Sequence, residues 1–365
     1  MTKRVIIAGG GTGGHIFPAI AIAHALKKLD PSIEILFVGA KGKMEMEKIP
    51  QAGFDIIGLD IAGFNRSSLI KNIGLPFKLL KSLWQARSIL VGFLPNAVVG
   101  VGGYASFPML RQAQRKKIPT LIQEQNSHAG KSNTILGRKA NRICVAYEGM
   151  DKFFPADRIL LTGNPVRATI SGSTCSREEG AAFFKLDPSK KILLVVGGSL
   201  GARSINEAME SGLDTLLEAG IQVIWQTGKP FLERASAKAA GKQGVWVNDF
   251  ITQMEFGYAA ADAVISRAGA MAIAELCVLK KPVLFVPFPF AAEDHQTVNA
   301  QSLVKKNAAL MVKDSEAKEK VVPMMLDLLN DEAKRMELVR NISELGITDA
   351  DERIAREVLA LIKNK

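Results

Sequence analysis

Residues 5–29, VIIAGGGTGGHIFPAIAIAHALKKL, decide the fold of the first half of the chain. A short run rich in β-branched residues, Val5 to Ala8, is followed by glycines at 9–11 and 13–14. The apolar residues from Ile16 to Leu29 then recur at helical spacing. This order predicts a strand, a glycine loop and a helix, which is the opening unit of a parallel α/β sheet.

The same order returns in the second half of the chain. Ile192 to Val196 is a buried type of strand, three glycines follow, and the stretch from Ser204 to Ala219 has helical spacing. The pattern therefore predicts an α/β protein with two similar domains and a boundary near residue 164, in the stretch LTGNPVR (161–167). Further strands are predicted at Ile33–Val38, Ala97–Val101, Thr120–Gln123, Gln222–Trp225, Gly244–Val247, Ala263–Ile265 and Val283–Val286.

Charge and composition limit the partners. The 365 residues carry 47 Lys and Arg against 36 Asp and Glu, a net charge of +11, which favours an anionic partner such as nucleic acid, a phosphorylated substrate or acidic lipid. The aromatic content of 6% and the lack of a nucleic-acid-binding motif argue against nucleic acid. We therefore expect a phosphorylated or lipid partner.

Cysteine usage and hydropathy indicate the compartment. Cys144, Cys175 and Cys277 are odd in number and far apart, so neither a disulfide framework nor a zinc site is predicted, and the compartment is expected to be reducing. The apolar run at the start of the chain is too short for a signal peptide. Residues 89–110 lack charge, but prolines and glycines interrupt them. We predict strand and loop there, and a soluble protein.

The first glycine loop, GGGTGGH, suits a phosphate, because small residues let the backbone approach an anion and the next helix presents unpaired N–H groups. It also matches the dinucleotide-binding pattern. However, the second strand ends in Phe37-Val38-Gly39, without the acidic residue that would bind a ribose. A nicotinamide- or flavin-dependent enzyme is therefore a minor alternative. His15 is either a general base or a polar residue bonded to the backbone.

The second half carries a comparable set of polar groups. The loop GGSLGARS (197–204) adds the hydroxyl of Ser199 and the cation of Arg203. In GAMAIAE (269–275) the helix N-terminus could hold a diphosphate while Glu275 accepts from ribose hydroxyls. Taken by itself, Glu275 is predicted to be a surface carboxylate of the helix rather than a ligand-binding group. A further polar cluster follows the strand VLFV: Glu293, Asp294, His295, Gln296 and Asn299.

A basic and apolar segment stands at residues 71–84, KNIGLPFKLLKSLW. Such a segment can lie on an anionic bilayer surface, although a core helix with solvated lysines would give the same pattern. No acidic pair or Cys/His cluster predicts a metal, since Asp349 and Asp351 read as caps of the terminal helix. The candidate membrane-docking residues are Ile73, Leu75, Phe77, Lys78, Leu79, Leu80, Lys81 and Trp84.

Seven motifs together resemble the MurG family of glycosyltransferases in identity and order. They are GGGTGGHIFPAIAIA, GGYASFP, EQN followed by AGKSN, GNPVR, GGSLGA, SRAGAMAIAE and DHQTVNA. The resemblance implies a GT-B fold of two Rossmann-like domains facing a cleft. Residues 1–163 with a returning C-terminal helix, about 349–365, would form the acceptor and membrane-facing domain, and 164–348 the UDP-GlcNAc-binding domain.

The resemblance also implies the residues that bind the donor. Ile251 would present its backbone to uracil, Glu275 would hold the ribose, and Ser199 with the amides after Gly269 would stabilise the departing diphosphate without a metal. No cofactor is implied. The matching donor-binding positions are Thr12, Gly13, Gly14, Asn126, Arg167, Ser199, Ile251, Ala270, Met271, Ala272, Ile273, Ala274, Glu275 and Gln296.

The implied reaction is an inverting displacement. The C4 hydroxyl of undecaprenyl-diphosphate-linked MurNAc-pentapeptide, lipid I, attacks the anomeric carbon of UDP-GlcNAc and gives lipid II, the last intracellular step of peptidoglycan precursor synthesis. His15 is the candidate base and Glu124 the reserve. The expected location is peripheral, on the cytoplasmic face of the inner membrane, with cell-wall synthesis proteins as further partners. The alternatives are a UDP-sugar epimerase of the same fold and a non-catalytic nucleotide-binding membrane scaffold.

Overall fold

The computed structural model describes residues 2–61 and 75–363 of the protein. These residues form two compact units. The first unit comprises Met1–Arg167 and Asp349–Lys365, and the second comprises Ala168–Thr348. The change of unit after Arg167 lies a few residues beyond the boundary predicted near residue 164.

The first unit is built on a seven-stranded parallel sheet in the order β3-β2-β1-β4-β5-β6-β7. The interior strand β1 is buried from Val5 to Ala8, as expected for a strand covered by helices on both faces. The strands are β1 (Arg4–Ala8), β2 (Glu34–Ala40), β3 (Asp55–Leu59), β4 (Ala97–Gly100), β5 (Thr120–Glu124), β6 (Arg142–Val145) and β7 (Ile159–Leu161).

The helices of the first unit include one that comes from the far end of the sequence. That C-terminal helix packs on the first helix, where Ile354, Ala355 and Val358 share a buried cluster with Ile22 and other residues of the first helix. The first unit's helices are α1 (Gly13–Leu29), α2 (Glu45–Gln51), α3 (Leu75–Phe93), α4 (Ser106–Arg115), α5 (Lys131–Gly137) and the C-terminal α15 (Ala350–Lys363).

The second unit has a six-stranded parallel sheet in the order β10-β9-β8-β11-β12-β13. Its strands are β8 (Ile192–Val196), β9 (Gln222–Gln226), β10 (Val245–Asn248), β11 (Ala263–Ser266), β12 (Val283–Phe285) and β13 (Leu310–Met311). Its helices are α6 (Ala168–Ser171), α7 (Arg177–Phe183), α8 (Arg203–Glu218), α9 (Leu232–Ala239), α10 (Met254–Ala260), α11 (Ala270–Val278), α12 (His295–Val304), α13 (Ala317–Asn330) and α14 (Glu332–Ser343).

In both units the first strand of the sheet is buried and is followed by a glycine loop and a helix, although α6 and α7 precede that strand in the second unit, and the predicted α/β class is confirmed. The interpretation of residues 89–110 as strand and loop is wrong in part. Helix α3 continues to Phe93 and α4 begins at Ser106, so only Ala97–Gly100 is a strand. The structure also places β3, β6, β7 and β13, which were not predicted. No helix within residues 2–61 and 75–363 is long and apolar enough to cross a membrane.

Candidate active site

The first glycine loop joins β1 to α1 and carries the candidate base. Thr12 caps the helix with an extended backbone, and α1 begins at Gly13. The imidazole Nδ1 of His15 lies 3.2 Å from the carbonyl oxygen of Gly10 and 3.4 Å from the Thr12 hydroxyl. A side chain at Gly102 would overlap the imidazole ring, so that glycine lets the ring lie against the backbone. His15 is thus bonded to the backbone through Nδ1.

A buried carboxylate that the sequence analysis missed lies under this loop. Glu45 is 1% exposed, and its two oxygens accept the N–H groups of Gly11 (2.8 Å) and Ala40 (3.0 Å). Burial of a carboxylate is tolerated when such donors compensate for lost water. An acidic group therefore does reach the end of β2, although the strand itself supplies none. Because its oxygens accept backbone amides, it braces the loop.

Glu124, the reserve base, ends β5 and organises the loop that follows. One carboxylate oxygen accepts the backbone and side-chain N–H groups of Asn126, and the other accepts the Gly130 amide (3.2 Å) and the Asn133 side chain (2.8 Å). Burial raises the pKa of the Glu124 carboxyl group, while these donors oppose the rise. Both oxygens are therefore engaged in holding the loop that presents Asn126.

Buried amides connect this loop to the motif GNPVR. The side chain of Gln123 donates to Asn164 (2.9 Å), and Asn164 donates to the carbonyl of Gln125 (2.9 Å). Three residues beyond Asn164, the guanidinium of Arg167 lies 5.3 Å from the centre of the Phe17 ring on α1, a cation–π distance. The fold thus brings Arg167 to the same helix that carries His15.

The second glycine loop is braced by a carboxamide. Gln226, at the end of β9, donates to the carbonyl of Gly198 (2.9 Å) and accepts the N–H of Ile251 (3.3 Å). Gly201 has a positive φ of 75°, and a Cβ there would overlap the carbonyl of Thr227. Only glycine allows this approach. The predicted donor residue Ser199 is exposed on the loop.

The cation of Arg203 was predicted to stand near this loop as an anion-binding group. In the structure its guanidinium pairs with Glu207 at 2.7 Å, one helical turn along α8, and its side chain is 85% exposed. Part of its charge is therefore balanced within the helix. The nearby Arg267 instead holds the loop after β12, because it donates to the carbonyls of Val286 (2.9 Å) and Pro287 (3.1 Å).

Helix α11 carries the predicted diphosphate and ribose group. It begins at Ala270, after Gly269 in an extended conformation, so the amides of Ala270, Met271 and Ala272 lie in its first turn. Glu275 is only 6% exposed, and the Tyr258 hydroxyl donates to its carboxylate at 3.0 Å. The alternative of a surface carboxylate is therefore wrong. Ile273 is buried, and Ala274 is half-buried in the same helix.

The polar cluster after β12 is divided between two roles. Gln296 accepts the N–H of Phe288 (3.0 Å) and so fixes the loop that leads out of the strand. Asn299 is buried, while Glu293 and Asp294 are exposed with φ values near +50°. Asp294 accepts from the Thr297 hydroxyl (2.7 Å) at the start of α12. Of the five residues of this cluster, only Asn299 is buried, and His295 and Gln296 are half-buried.

Helix α3 exposes an apolar stripe on the first unit. Phe77, Leu80, Trp84 and Val91 are 75%, 66%, 72% and 53% exposed, and their spacing puts them on one face of the helix. The opposite face buries Ser82, Ala86 and Leu90. The alternative of a core helix with solvated lysines does not fit these exposures. Leu75 is half-buried, Leu79 is 37% exposed, and Ile73 lies outside the described residues.

The lysines of this segment differ in their surroundings. Lys81 pairs with Asp60 at 2.9 Å, and Lys41 pairs with the same carboxylate at 3.0 Å. The hydrogen bonds from Lys81 and Lys41 lower the pKa of the Asp60 carboxyl group below its usual range. The positive charge of Lys81 is therefore partly balanced. Lys78 is exposed on the same helix.

The described residues contain no group of three or more His, Cys, Asp or Glu side chains that could hold a metal ion. Cys144 and Cys277 are buried and Cys175 is half-buried, and all three are free thiols. Burial raises the pKa of the Cys144 and Cys277 thiols to about 12, so they stay protonated at neutral pH. They are packing residues.

The chain matches two family models, and it resembles known proteins over its whole length. The model of the glycosyltransferase family 28 N-terminal domain matches residues 5–145, and that of the C-terminal domain matches residues 192–354. The UDP-N-acetylglucosamine--N-acetylmuramyl-(pentapeptide) pyrophosphoryl-undecaprenol N-acetylglucosamine transferase of Parabacteroides distasonis is 52% identical over 99% of both chains. The crystal structure of Acinetobacter baumannii MurG has a TM-score of 0.80 at 29% identity, covering 98% of this chain and 99% of that one.

These matches define a family 28 glycosyltransferase with the GT-B fold. A UDP-GlcNAc 2-epimerase of Neisseria meningitidis has a TM-score of 0.69 at 12% identity over 98% of this chain and 100% of that one, which shows the fold alone. The chain belongs to the MurG family. The predictions of the fold, the family and a glycosyltransferase activity are thereby confirmed, and the nicotinamide alternative is set aside.

Proposed function

We propose that the chain transfers GlcNAc from UDP-GlcNAc to the C4 hydroxyl of undecaprenyl-diphosphate-linked MurNAc-pentapeptide, converting lipid I to lipid II with inversion at the anomeric carbon. The observation that carries this proposal is the 52% identity, over 99% of the chain, to a transferase whose name gives both the sugar and the acceptor. The first unit supplies the acceptor and membrane functions, and the second unit, Ala168–Thr348, supplies the larger share of the donor-binding residues.

The donor is held by polar groups of the second unit. Glu275, steadied by Tyr258, accepts from the ribose hydroxyls, and the first-turn amides of α11 face the diphosphate. The exposed hydroxyl of Ser199 adds a donor. Ile251 offers its carbonyl to uracil, while its N–H is already shared with Gln226 at 3.3 Å. Gln296 keeps the loop after β12 in place.

The acceptor hydroxyl is deprotonated by His15. Because Nδ1 faces the Gly10 carbonyl, Nε2 is the nitrogen that takes up the proton. The hydroxyl oxygen then forms the new bond to the anomeric carbon as the bond to the diphosphate oxygen breaks, and UDP carries away the negative charge. Amides after Gly269 stabilise that charge, so we propose a reaction that needs no metal or other cofactor.

The first unit also contributes proposed donor-binding positions, namely Thr12, Gly13, Gly14, Asn126 and Arg167. Glu124 accepts from the backbone or side chains of Asn126, Gly130 and Asn133, and we therefore assign it to loop organisation, with His15 as the base. Thr12, Gly13 and Gly14 open α1, where a helix N-terminus favours an anion. Arg167 adds a cation beside α1.

The apolar stripe of α3 docks the enzyme on an anionic membrane. Phe77, Leu80 and Trp84 would enter the boundary between headgroups and acyl chains, and the exposed Lys78 would face the headgroups. Since the acceptor is anchored in the bilayer, we propose a peripheral location on the cytoplasmic face of the inner membrane.

The proposal is tested by transfer of radiolabelled GlcNAc from UDP-GlcNAc to a short-chain lipid-linked MurNAc-pentapeptide, with a chelator present and with acceptor omitted as the control. Acceptor-dependent product that survives the chelator supports it. Donor conversion without acceptor would indicate an epimerase. Tight UDP-GlcNAc binding without any turnover would indicate a scaffold.

A further inference from the structure

The carboxylate of Glu45 is built into the first glycine loop. Glu45 opens α2, five residues after β2 ends at Ala40, and its side chain turns back beneath the loop. Its Oε1 accepts the Ala40 N–H at 3.0 Å, and its Oε2 accepts the Gly11 N–H at 2.8 Å. These distances are ordinary for N–H···O bonds, and the two donors are the last residue of β2 and a residue of the loop that follows β1. The position of the carboxylate is therefore determined by the sheet.

The glycines around Glu45 leave room for this side chain. A Cβ at Gly10 would overlap the carboxyl group of Glu45, and a Cβ at Gly39 would clash with its Cγ. Gly10 also has a φ of 137°, which L side chains rarely adopt. The first glycine loop is thus shaped around a buried carboxylate, and the Gly11 N–H is not available to a phosphate because it donates to Glu45.

One peptide group connects this carboxylate to His15. The Gly11 N–H that donates to Glu45 and the Gly10 carbonyl that faces Nδ1 of His15 at 3.2 Å belong to the same peptide unit. In a trans peptide these two groups point in opposite directions. A carboxylate on the N–H polarises the unit and makes its carbonyl oxygen a stronger acceptor. The proton of a neutral His15 is therefore held on Nδ1.

We propose that Glu45 is a positioning residue that acts through the Gly10–Gly11 peptide group to fix the tautomer and orientation of His15. The inference rests on the proposed role of His15 as the base. A carboxylate bonded directly to an imidazole performs this task in hydrolase triads, and here a peptide group stands between the two. The same charge stabilises the imidazolium that forms when Nε2 takes the acceptor proton.

The experiment compares Glu45→Gln with Glu47→Gln, which removes the same charge from an exposed position of the same helix. We expect Glu45→Gln to lower kcat roughly tenfold or more, without exceeding the loss in His15→Ala, and to leave the KM for UDP-GlcNAc unchanged. In a His15→Ala background, Glu45→Gln should not lower kcat further, because the imidazole that Glu45 positions has been removed. Glu47→Gln should match the unmodified protein. Equal losses in both backgrounds would overturn the proposal.

A spectroscopic measurement tests the proposal apart from turnover. The chain has only four histidines, so the imidazole nitrogen resonances of His15 can be assigned by difference from His15→Ala. We expect the neutral ring to carry its proton on Nδ1; a proton on Nε2 in the unmodified protein would overturn the proposal. If Glu45→Gln does not fold, Glu45→Asp keeps the charge on a shorter side chain and should show a smaller loss of kcat.

Failure of the proposed function has a different signature. Absence of acceptor-dependent transfer in the unmodified protein, or full turnover in His15→Ala, would refute the role of His15, and with it the catalytic part of the inference. Loss of turnover in His15→Ala together with an unaffected Glu45→Gln would refute only the positioning role of Glu45.

Discussion

The two glycine loops look alike in sequence but rest on different side chains. The first loop lies over the carboxylate of Glu45, which accepts the Gly11 N–H, whereas the second lies over the carboxamide of Gln226, which donates to the Gly198 carbonyl. A carboxylate beneath a loop accepts hydrogen bonds from the backbone N–H groups of that loop and adds a negative charge. The carboxamide of Gln226 instead donates to a backbone carbonyl of the loop and adds no charge.

This difference assigns the loops to different chemistry. The carboxylate of Glu45 disfavours a second anion at the Gly11 N–H, which it already occupies, but favours a nearby imidazole that becomes positive. The neutral brace of the second loop carries no such penalty for a diphosphate. We therefore expect variants at His15 and Glu45 to change the acceptor-dependent step, and variants at Gln226 and Glu275 to change the KM for the donor.

The largest effect is expected for His15→Ala. Loss of a general base typically lowers turnover by about 100-fold or more, and donor binding by the second unit should be unaffected. Steady-state kinetics with both substrates would measure kcat and the KM for UDP-GlcNAc. His24→Ala, an exposed histidine on the same helix, is the matched control. Equal losses in kcat and donor affinity would assign His15 to binding.

Glu275→Gln should act mainly on donor affinity. Hydrogen bonds to charged groups contribute about 1.5–3 kcal/mol, so the KM for UDP-GlcNAc should rise roughly 10- to 100-fold with a smaller change in kcat. Calorimetry with UDP and a ribose-deoxy analogue would check the contact, because the analogue should bind both proteins almost equally. The control is Glu218→Gln, at an exposed position of α8, which should leave both the KM for UDP-GlcNAc and kcat unchanged. If Glu275→Gln weakens binding of the analogue as much as it weakens binding of UDP, Glu275 does not contact the ribose.

Gln226→Glu would give the second loop the kind of brace that the first loop has. The carboxylate cannot donate to Gly198, and its charge opposes the diphosphate, so donor KM should rise about tenfold. Gln222→Glu, at the other end of the same buried strand, should lower the melting temperature without changing donor KM. If the KM for UDP-GlcNAc is unchanged in Gln226→Glu, the charge beneath the second loop does not affect donor binding, and the proposed difference between the two loops is wrong.

Leu80→Glu should weaken membrane binding by about tenfold or less, since burying a leucine side chain is worth about 1.5–3 kcal/mol and only part of it would enter the bilayer. Co-sedimentation with vesicles that contain anionic lipid would measure this, and transfer to a water-soluble acceptor analogue should be unchanged. Met336→Glu, at an exposed apolar position of α14 in the second unit, is the control. Similar losses of vesicle binding in both variants would mean that the added negative charge, and not the apolar stripe of α3, accounts for the effect.

Long apolar strands and glycine loops were predicted well because their signals are local. The strand at Ile192–Val196 was placed without error, and α8 was placed within one residue at each end. The short strands β7 and β13, of three and two residues, carry too little periodicity to detect. The prediction of strand and loop for residues 89–110 is wrong in part because glycine and proline mark the ends of helices there as well as loops.

By itself, the sequence determined the α/β class, the repeated strand–loop–helix order and the family, because these depend on spacing within single segments. Only the tertiary structure revealed that Glu45 returns beneath the first loop, that Tyr258 holds Glu275, and that α3 exposes Phe77 and Trp84. These contacts join residues whose separation in sequence carries no pattern. They arise where parallel strands bring their carboxyl ends together and where burial of one helix face leaves the other exposed.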